Sequence, residues 1–556
     1  MLQQPFNQRI KIIMGIFMIM LTLIVAQLCI LQWYYFEYYH TRAQNNHLKQ
    51  LAIYPDRGKI YDRNQRLMAD NIKENILTIA EDDQQILDFL NANPTENNQI
   101  KLSHLQLIKL YGHPTLASKY HPVEQTARYY PYGKSAFAAV GYGVSHQQQF
   151  DAATGIEKQY DDLLTGQPGY KQIMVDARGH RKPTEYRIEQ QQGLDITLTL
   201  DAELQQVAFD ALHATKGAAV VMNPNNGEIL ALVSKPSIDP NQIGQLFNKP
   251  HQLGANHPLF NRVVSGLFSP GSTIKPFFGL SGLEHHLITA DTVIEDEGFL
   301  MYGGHKFHDV NQHGHGRVNL QKAIAVSCDT FFYQLGLKLG IDKMAATLSH
   351  FGFGVKTGID LPNEASGIVP NKAWKMQQQN LPWYGGDTVI TAIGQGALIS
   401  TPIQLAQATS IIANQGFYYT PHLLKAVSEH DDIHPSSHHK HFIAPYEKSH
   451  YKQIRDSMLD AMLRGTGRNT FYGAPYYVAG KTGTTQITSH IHTRSQENMP
   501  KSLADHSLFI GFSPIKNPEL VVVVIVENYE MSAIRVAKVI FDQYFKTKRE
   551  QRVINI

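Results

Sequence analysis

Ser272 and Lys275 stand three residues apart in SPGSTIKP (269–276), directly behind a Pro-Gly step. Residues at i and i+3 share a helix face. Pro270 and Gly271 let the chain turn sharply, so the serine falls at or near a helix start. Orphan backbone N–H groups and the positive dipole end can there receive a developing anion. A serine so placed becomes a nucleophile when a base takes its proton, since a free hydroxyl is a poor one. Alone, the pair also reads as an N-cap serine followed by a solvated lysine, and S-x-x-K arises easily by chance.

Two further pieces give the pair its meaning. Ser327, Cys328 and Asp329 end an apolar helical run, and Lys481, Thr482 and Gly483 lie on a strand entered at Val478. The order is Ser272, Ser327, Lys481, at intervals of 55 and 154 residues. Acyl transfer uses each of these residue types. A neutral Lys275 takes the serine proton, which needs its pKa moved from about 10.4 to near 7, roughly 4 to 5 kcal/mol of differential stabilisation. Partial burial and a nearby Lys481 supply that shift. Ser327 relays the proton between the lysine and a leaving amine. Lys481 with the hydroxyls of Thr482 and Thr484 suits a substrate carboxylate, and Gly483 lets a substrate backbone approach the edge strand. The backbone N–H groups of Ser272 and Thr484 are expected to form an oxyanion hole.

The elements that must position these residues are legible in outline. At 556 residues the chain exceeds one core, and 43% hydrophobic with 18% charged residues is a globular composition. A net charge of +2, with no basic stripe and no zinc-finger spacing, gives no case for nucleic acid. Ile12 to Leu31 is a 20-residue run without a charge, long enough to span a bilayer. Arg9 and Lys11 precede it and Trp33 to Tyr39 follow as an aromatic belt, so a single-pass anchor with a cytoplasmic tail (1–11) is expected. A first domain of mixed α/β character is expected over 46–185, with Asp161 and Asp162 on a solvated helix face. A second domain is expected over 190–550. There 217–241 reads as a hairpin, about 255–410 as mostly helical with glycine-rich breaks, and 476–486, 507–514 and 519–528 as strands before a helix at 533–545. The expected class is α+β: an antiparallel sheet flanked by helices, with an all-helical subdomain. The histidine-rich HDDIHPSSHHKH (430–441) reads as a surface loop.

S-x-x-K, then S-D-N, then K-T-G is a recognised signature of penicillin-binding proteins and class A β-lactamases, from which Ser327-Cys328-Asp329 departs at its second and third residues. The chain resembles the class B penicillin-binding proteins over nearly its whole length. PDRGKIYDRN and GIEKQYDDLLTGQPGY are similar to the opening and close of the family's pedestal. GAAVVMNPNNGEILALVSKPSIDPN resembles the entry to its β-lactamase-like transpeptidase domain. SPGSTIKP, SCDTFFYQLG and AGKTGTTQ match the catalytic blocks. Asp329, where other branches carry Asn, points to the elongation-specific branch. The resemblance implies a serine D,D-transpeptidase that cross-links peptidoglycan stem peptides during elongation and maintenance of rod shape. It would form an acyl-enzyme on Ser272 with release of D-Ala and be inhibited by β-lactam antibiotics. It implies a bacterial inner-membrane protein with its catalytic domain in the periplasm. It also implies partnership with a RodA-like SEDS glycan polymerase and other elongation-complex proteins. A β-lactamase would lack the pedestal and need a deacylating base; a penicillin sensor would need more spanning segments or a cytoplasmic domain. A scaffold with a dead site would not keep every catalytic side chain.

The two cysteines are Cys29, inside the spanning run, and Cys328, so no disulfide joins them. Upstream of Cys328 lie Asp296, Asp309 and His315, at intervals of 13, 6 and 13 residues. One Cys, one His and two carboxylates make a tetrahedral zinc set, with His305, His308 and His313 competing for the histidine place. The residues alone read better as a buried free thiol beside a polar loop, since ligand spacing this loose is weak evidence. The resemblance favours zinc, because some elongation-specific members bind it near the active site with such a set.

Overall fold

The computed structural model describes residues 4–40, 48–80, 83–93, 98–146, 149–174, 186–214, 216–247, 257–429, 432–436, 440–442, 446–485, 504–529 and 531–554. The chain divides into two compact units, residues 1–56 with 166–192, and residues 57–165 with 193–556. In the first, Gln4–Cys29 is an α-helix continued by a π turn at Ile30–Tyr34. Ile10 to Tyr34, 25 residues containing an 18-residue window of mean hydropathy 2.6, is the one stretch among the described residues long and apolar enough to cross a membrane. Its length of about 38 Å exceeds the roughly 30 Å hydrocarbon core. The same unit holds an antiparallel three-stranded sheet of Leu48–Ile53, Gly169–Met174 and Tyr186–Ile188.

The second unit holds residues 57–165 of the expected pedestal. Arg57, from the PDRGKIYDRN stretch, meets Glu157 and Asp161, from GIEKQYDDLL, in a buried ion cluster. Arg57 Nε lies 2.7 Å from Glu157 Oε2, its Nη1 2.7 Å from Asp161 Oδ1, and Arg128 Nε 2.8 Å from Glu157 Oε1. The solvated face expected for Asp161 and Asp162 is therefore half right. Asp162 is exposed, whereas Asp161 is held by an arginine 104 residues earlier. Breaking a buried pair by removing one partner costs about 3–5 kcal/mol. Glu157→Gln leaves Arg57 and Arg128, 6% and 3% exposed, without their shared charge. A clear fall in melting temperature is expected, and an unchanged melt would show that the cluster adds nothing to stability.

Ile60–Tyr61 pairs in parallel with Asp195–Leu198, which pairs in turn with Leu424–Glu429. These strands belong to one seven-stranded sheet that also takes in Leu67–Thr78, Gln99–Leu102 and Val123–Tyr129. Asp62 is buried and fixes the turn after Tyr61. Its Oδ1 accepts the amides of Asn64 and Arg66, each at 2.8 Å, and its Oδ2 that of Ala202 at 3.1 Å.

The catalytic sheet is built from β1 (Gly217–Met222), β2 (Ile229–Lys235), β3 (Ala479–Thr485), β4 (His506–Ser513) and β5 (Leu520–Val526), in the order β2-β1-β5-β4-β3 and antiparallel throughout. Both faces are covered, so β1 and β5 read as unbroken apolar runs. Val521, Val523 and Ile525 face one core cluster, and Leu520, Val522, Val524 and Val526 the other. Each such side chain contributes roughly 1.5–3 kcal/mol by leaving water. The helices around this sheet that matter below are α1 (Lys275–Glu284), α2 (Leu320–Val326), α3 (Asp329–His350, broken at Gly340), α4 (Pro402–Ala413), α5 (Lys448–Leu463) and α6 (Ala533–Ile554). α4 packs on one sheet face, and α6 with Ala202–Ala211 on the other.

The helical reading of 255–410 needs correction. Val293–Asp296 pairs with Gly316–Asn319, and Phe299–Tyr302 with His305–His308. Gly303 and Gly304, both at positive φ, form the two-residue turn that a tight hairpin favours. The histidine-rich stretch is also more than a loop, since Asp432–Pro435 and Lys440–Phe442 are edge strands. Residues 430–431 and 437–439 of it, and Gln486 of the third motif, lie outside the described residues.

Candidate active site

Gly271–Ile274 is a single 3-10 turn that runs directly into α1. Gly271 has φ +52°, and a Cβ on it would sit 2.7 Å from the Thr484 carbonyl oxygen. Glycine is required there on both counts. The nucleophile turn thus packs against the edge strand β3, and the Thr484 backbone lies beside the residue preceding Ser272. Ser272 is half-buried, and its hydroxyl has no protein hydrogen-bond partner among the described residues. Thr273 beside it is buried and donates to the Pro270 carbonyl at 2.6 Å, which holds the turn closed.

Ser327 ends α2 in the left-handed region, φ 64° and ψ 36°. That conformation is uncommon for a residue with a Cβ. It reverses the chain and leaves Cys328 as N-cap of α3, with Asp329 in the first turn, where a helix favours negative charge. Lys275 is fully buried and points at this corner. Its Nζ donates to the Ser327 carbonyl at 2.7 Å, to Ser327 Oγ at 3.3 Å and to Asp329 Oδ1 at 2.5 Å. Lys481, also fully buried, donates to the same Ser327 Oγ at 2.9 Å and to the Thr482 carbonyl at 2.8 Å. One hydroxyl therefore bridges two lysines.

Burial, with the Lys275 ammonium adding to it, holds Lys481 well below the ordinary lysine range, against the pull of Asp329. Lys275 stands in an ion pair with Asp329. Burial also pushes the Asp329 carboxyl up, although Lys275 opposes it.

On β3 the strand period sorts the third motif. Lys481, Gly483 and Thr485 are buried, Thr482 is half-buried and Thr484 is exposed. β3 is the sheet edge, so its outer side is open to an extended chain. The need for glycine at 483 has a different origin from the one expected. A Cβ there would lie 2.9 Å from Thr273 Cγ2 and 3.2 Å from the Pro270 carbonyl oxygen, so the room is taken by the nucleophile turn. Thr482 and Thr484 are the side chains free to face a ligand. Thr482 Oγ1 is oriented by Thr466 Oγ1 at 2.9 Å, and the Thr466 amide donates to the Ala325 carbonyl at 3.1 Å. Thr466 thus ties the end of α2 to β3. Sequence reasoning passed over it, and its one local signal is the glycine on either side in RGTGRN (464–469).

Asp296, Asp309, His315 and Cys328 come together, with one ligand atom from each lying within 4.8 Å of all the others. His305, His308 and His313 are outside this group. His315 Nδ1 is 2.8 Å from Asp296 Oδ2 and 3.5 Å from Asp309 Oδ1, and Cys328 Sγ is 3.4 Å from Asp296 Oδ2. Donors at zinc-ligand bond lengths in a tetrahedron stand about 3.2–3.8 Å apart, so the set fits such an ion with small adjustment. Backbone amides orient the carboxylates: Gly298 and His315 donate to Asp296 at 2.9 Å each, and Thr330 to Asp309 at 2.9 Å. Burial, with Asp309 and Asp296 adding to it, pushes the Cys328 thiol up. Two buried carboxylates beside a buried sulfur are a charge arrangement that a cation relieves.

The chain matches known proteins along most of its length. Residues 217–546 match the penicillin binding protein transpeptidase domain family, and residues 101–198 the penicillin-binding protein dimerisation domain family. The chain is similar to the peptidoglycan D,D-transpeptidase MrdA of Acinetobacter baumannii, at 35% identity over 99% of this chain and 89% of that protein. It resembles the solved penicillin-binding protein (PBP2) in complex with MreC from Helicobacter pylori, at 30% identity and TM-score 0.74, covering 90% of this chain and 99% of that one. A chain from a peptidoglycan synthase complex, solved in a study of coordinated polymerization and crosslinking, aligns at 27% identity and TM-score 0.72, covering 96% of this chain and 97% of that one.

Proposed function

Since this chain belongs to the MrdA (penicillin-binding protein 2) family of peptidoglycan D,D-transpeptidases, we propose that it cross-links stem peptides through an acyl-enzyme on Ser272. The Ser272 oxygen attacks the carbonyl carbon of the penultimate D-Ala, and its proton passes to Lys275 in its neutral form, after that amine has given its own proton to the adjacent Asp329, whose carboxyl burial pushes up. The bond to the terminal D-Ala then breaks, and Ser327 hands a proton to the departing amine. An amine of a neighbouring stem attacks the ester and restores Ser272; water in its place gives carboxypeptidase activity. The backbone amides of Ser272 and Thr484 receive the oxyanion, and the Thr482 and Thr484 hydroxyls hold the substrate carboxylate, with Lys481 buried directly behind them. The observation that carries this reading is the Ser327 hydroxyl shared at 3.3 and 2.9 Å by the two buried lysines. A β-lactam enters the same route and remains as a stable ester.

We infer further that Asp296, Asp309, His315 and Cys328 hold a structural zinc ion. When bound, the ion neutralises the buried carboxylates and thiolate and braces Cys328, and with it Ser327 and Asp329 on either side. No step of acyl transfer passes through it. The apolar N-terminal helix fits a membrane anchor, and Arg9 and Lys11 before it favour a periplasmic catalytic domain. The relatives solved with MreC and in a peptidoglycan synthase complex support elongation-complex partners, among them a RodA-like SEDS polymerase.

The test is a pair of assays on the purified chain. Labelled penicillin should give one long-lived adduct per chain, and lipid II should yield no glycan strand until the polymerase is added. Rapid turnover of the label would make the protein a β-lactamase. Polymerisation by the chain alone would overturn the division of labour.

A further inference from the structure

Behind the catalytic elements, a cavity of about 880 Å³ opens between α5, the loop entering β3, the turn after β4 and α6. Its size falls among small-molecule sites, about 300–1,000 Å³. Leu459, Pro475, Tyr476, Tyr477, Ile515 and Phe545 make its walls apolar and aromatic. The charged groups on its lining fall into two sets. Lys452 pairs with Asp456 at 2.7 Å, and Lys548 pairs with Glu519. Arg455, Lys516 and Arg549 remain, with no carboxylate partner among the described residues.

Arg455 decides the reading. It is only 5% exposed, and arginine is seldom buried without an anion. Its guanidinium has five N–H donors, of which one is given to the Ile515 carbonyl. The group also packs over the Phe512 ring, 5.6 Å from its centroid. Burial pulls its pKa below the ordinary value, although Asp456 opposes. Lys516 and Arg549 stand exposed at the rim, where they add positive potential. An oxyanion on Arg455 would supply the charge-assisted bonds that the protein itself does not.

We propose that this cavity binds a small organic anion. A carboxylate or phosphate head is held by Arg455 with Lys516 and Arg549, and an apolar or aromatic body lies on Tyr476, Tyr477 and Phe545. Nothing in the cross-linking reaction uses this site. α5, which forms one wall, packs on α2 and β3, the elements that end at Ser327 and carry Lys481.

The test is calorimetric titration of the full chain in lipid nanodiscs, with empty nanodiscs as the blank. The probes are 2-naphthoate, its neutral isostere 2-naphthamide, and 2-naphthyl phosphate. One charge-assisted contact is about a tenfold effect, so at least one anion should bind about tenfold or more tightly than the amide. The better of the two identifies the head. The exposed double variant Lys516→Ser with Arg549→Ser should weaken the anion about fivefold while leaving the amide and penicillin acylation unchanged. Arg455→Met should remove the remaining preference. Equal binding of anion and amide, no binding of any probe, or unchanged anion affinity in the folded double variant would overturn the proposal.

Discussion

Ser272→Ala is expected to leave the protein folded and unable to take up penicillin. Removing a nucleophile from an assembled catalytic unit lowers the rate by about 10³-fold or more. The Ser272 hydroxyl has no protein partner among the described residues, so its loss strands no buried group, and such changes stay within about 0.5 kcal/mol of the parent. Lys275→Ala is expected to be inactive for a different reason that the melting curve reveals. It removes the ammonium 2.5 Å from Asp329, a carboxylate 15% exposed, and leaving such a charge without its partner costs about 3–5 kcal/mol. Intact-mass spectrometry after benzylpenicillin, alongside thermal melts, separates the two. A penicillin adduct on the Ser272→Ala protein would move the nucleophile elsewhere. A large loss of stability in that variant would turn Ser272 into a structural residue.

The parts of this site visible beforehand are those with a short-range signal. The Pro-Gly step announced the turn before Ser272, and the apolar runs at 217–235 and 519–528 announced buried strands. The Lys-Thr-Gly segment was legible as a strand entered at Val478. What escaped depends on contacts between distant residues. Ile60 pairs with Ile196, 136 positions later, and no local periodicity distinguishes that parallel pairing from any other. Asp161 looks like any acidic residue on a short helix until Arg57 is folded against it. That Lys275 and Lys481 both meet the Ser327 hydroxyl escaped for the same reason, since only the left-handed turn at Ser327 brings that hydroxyl between them. The four short strands between 293 and 319 were masked by their length, since four residues carry too little alternation to outweigh the neighbouring helices.

Cys328→Ser is expected to cost the protein its metal and much of its thermal margin. Purified wild-type protein should carry zinc near one equivalent, and the variant little. The serine oxygen does not become an anion at neutral pH, so the ion would lose the sulfur ligand while Asp296 and Asp309 keep their buried charge. Uncompensated buried charge costs about 3–5 kcal/mol, which for a domain of this size lowers the melting temperature by roughly 4–7 °C. Cys328 caps α3, its Sγ accepting the Phe331 amide at 3.4 Å, and serine is itself a good N-cap. Loss of the cap therefore contributes little, and the fall reports on the metal. Because Ser327 and Asp329 flank the ligand, acylation should slow in the variant even at temperatures where it remains folded. Chelation of the wild-type protein should reproduce both effects, and added zinc should reverse them. Metal-free wild-type protein with full penicillin binding and an unshifted melt would reduce Cys328 to an ordinary buried thiol.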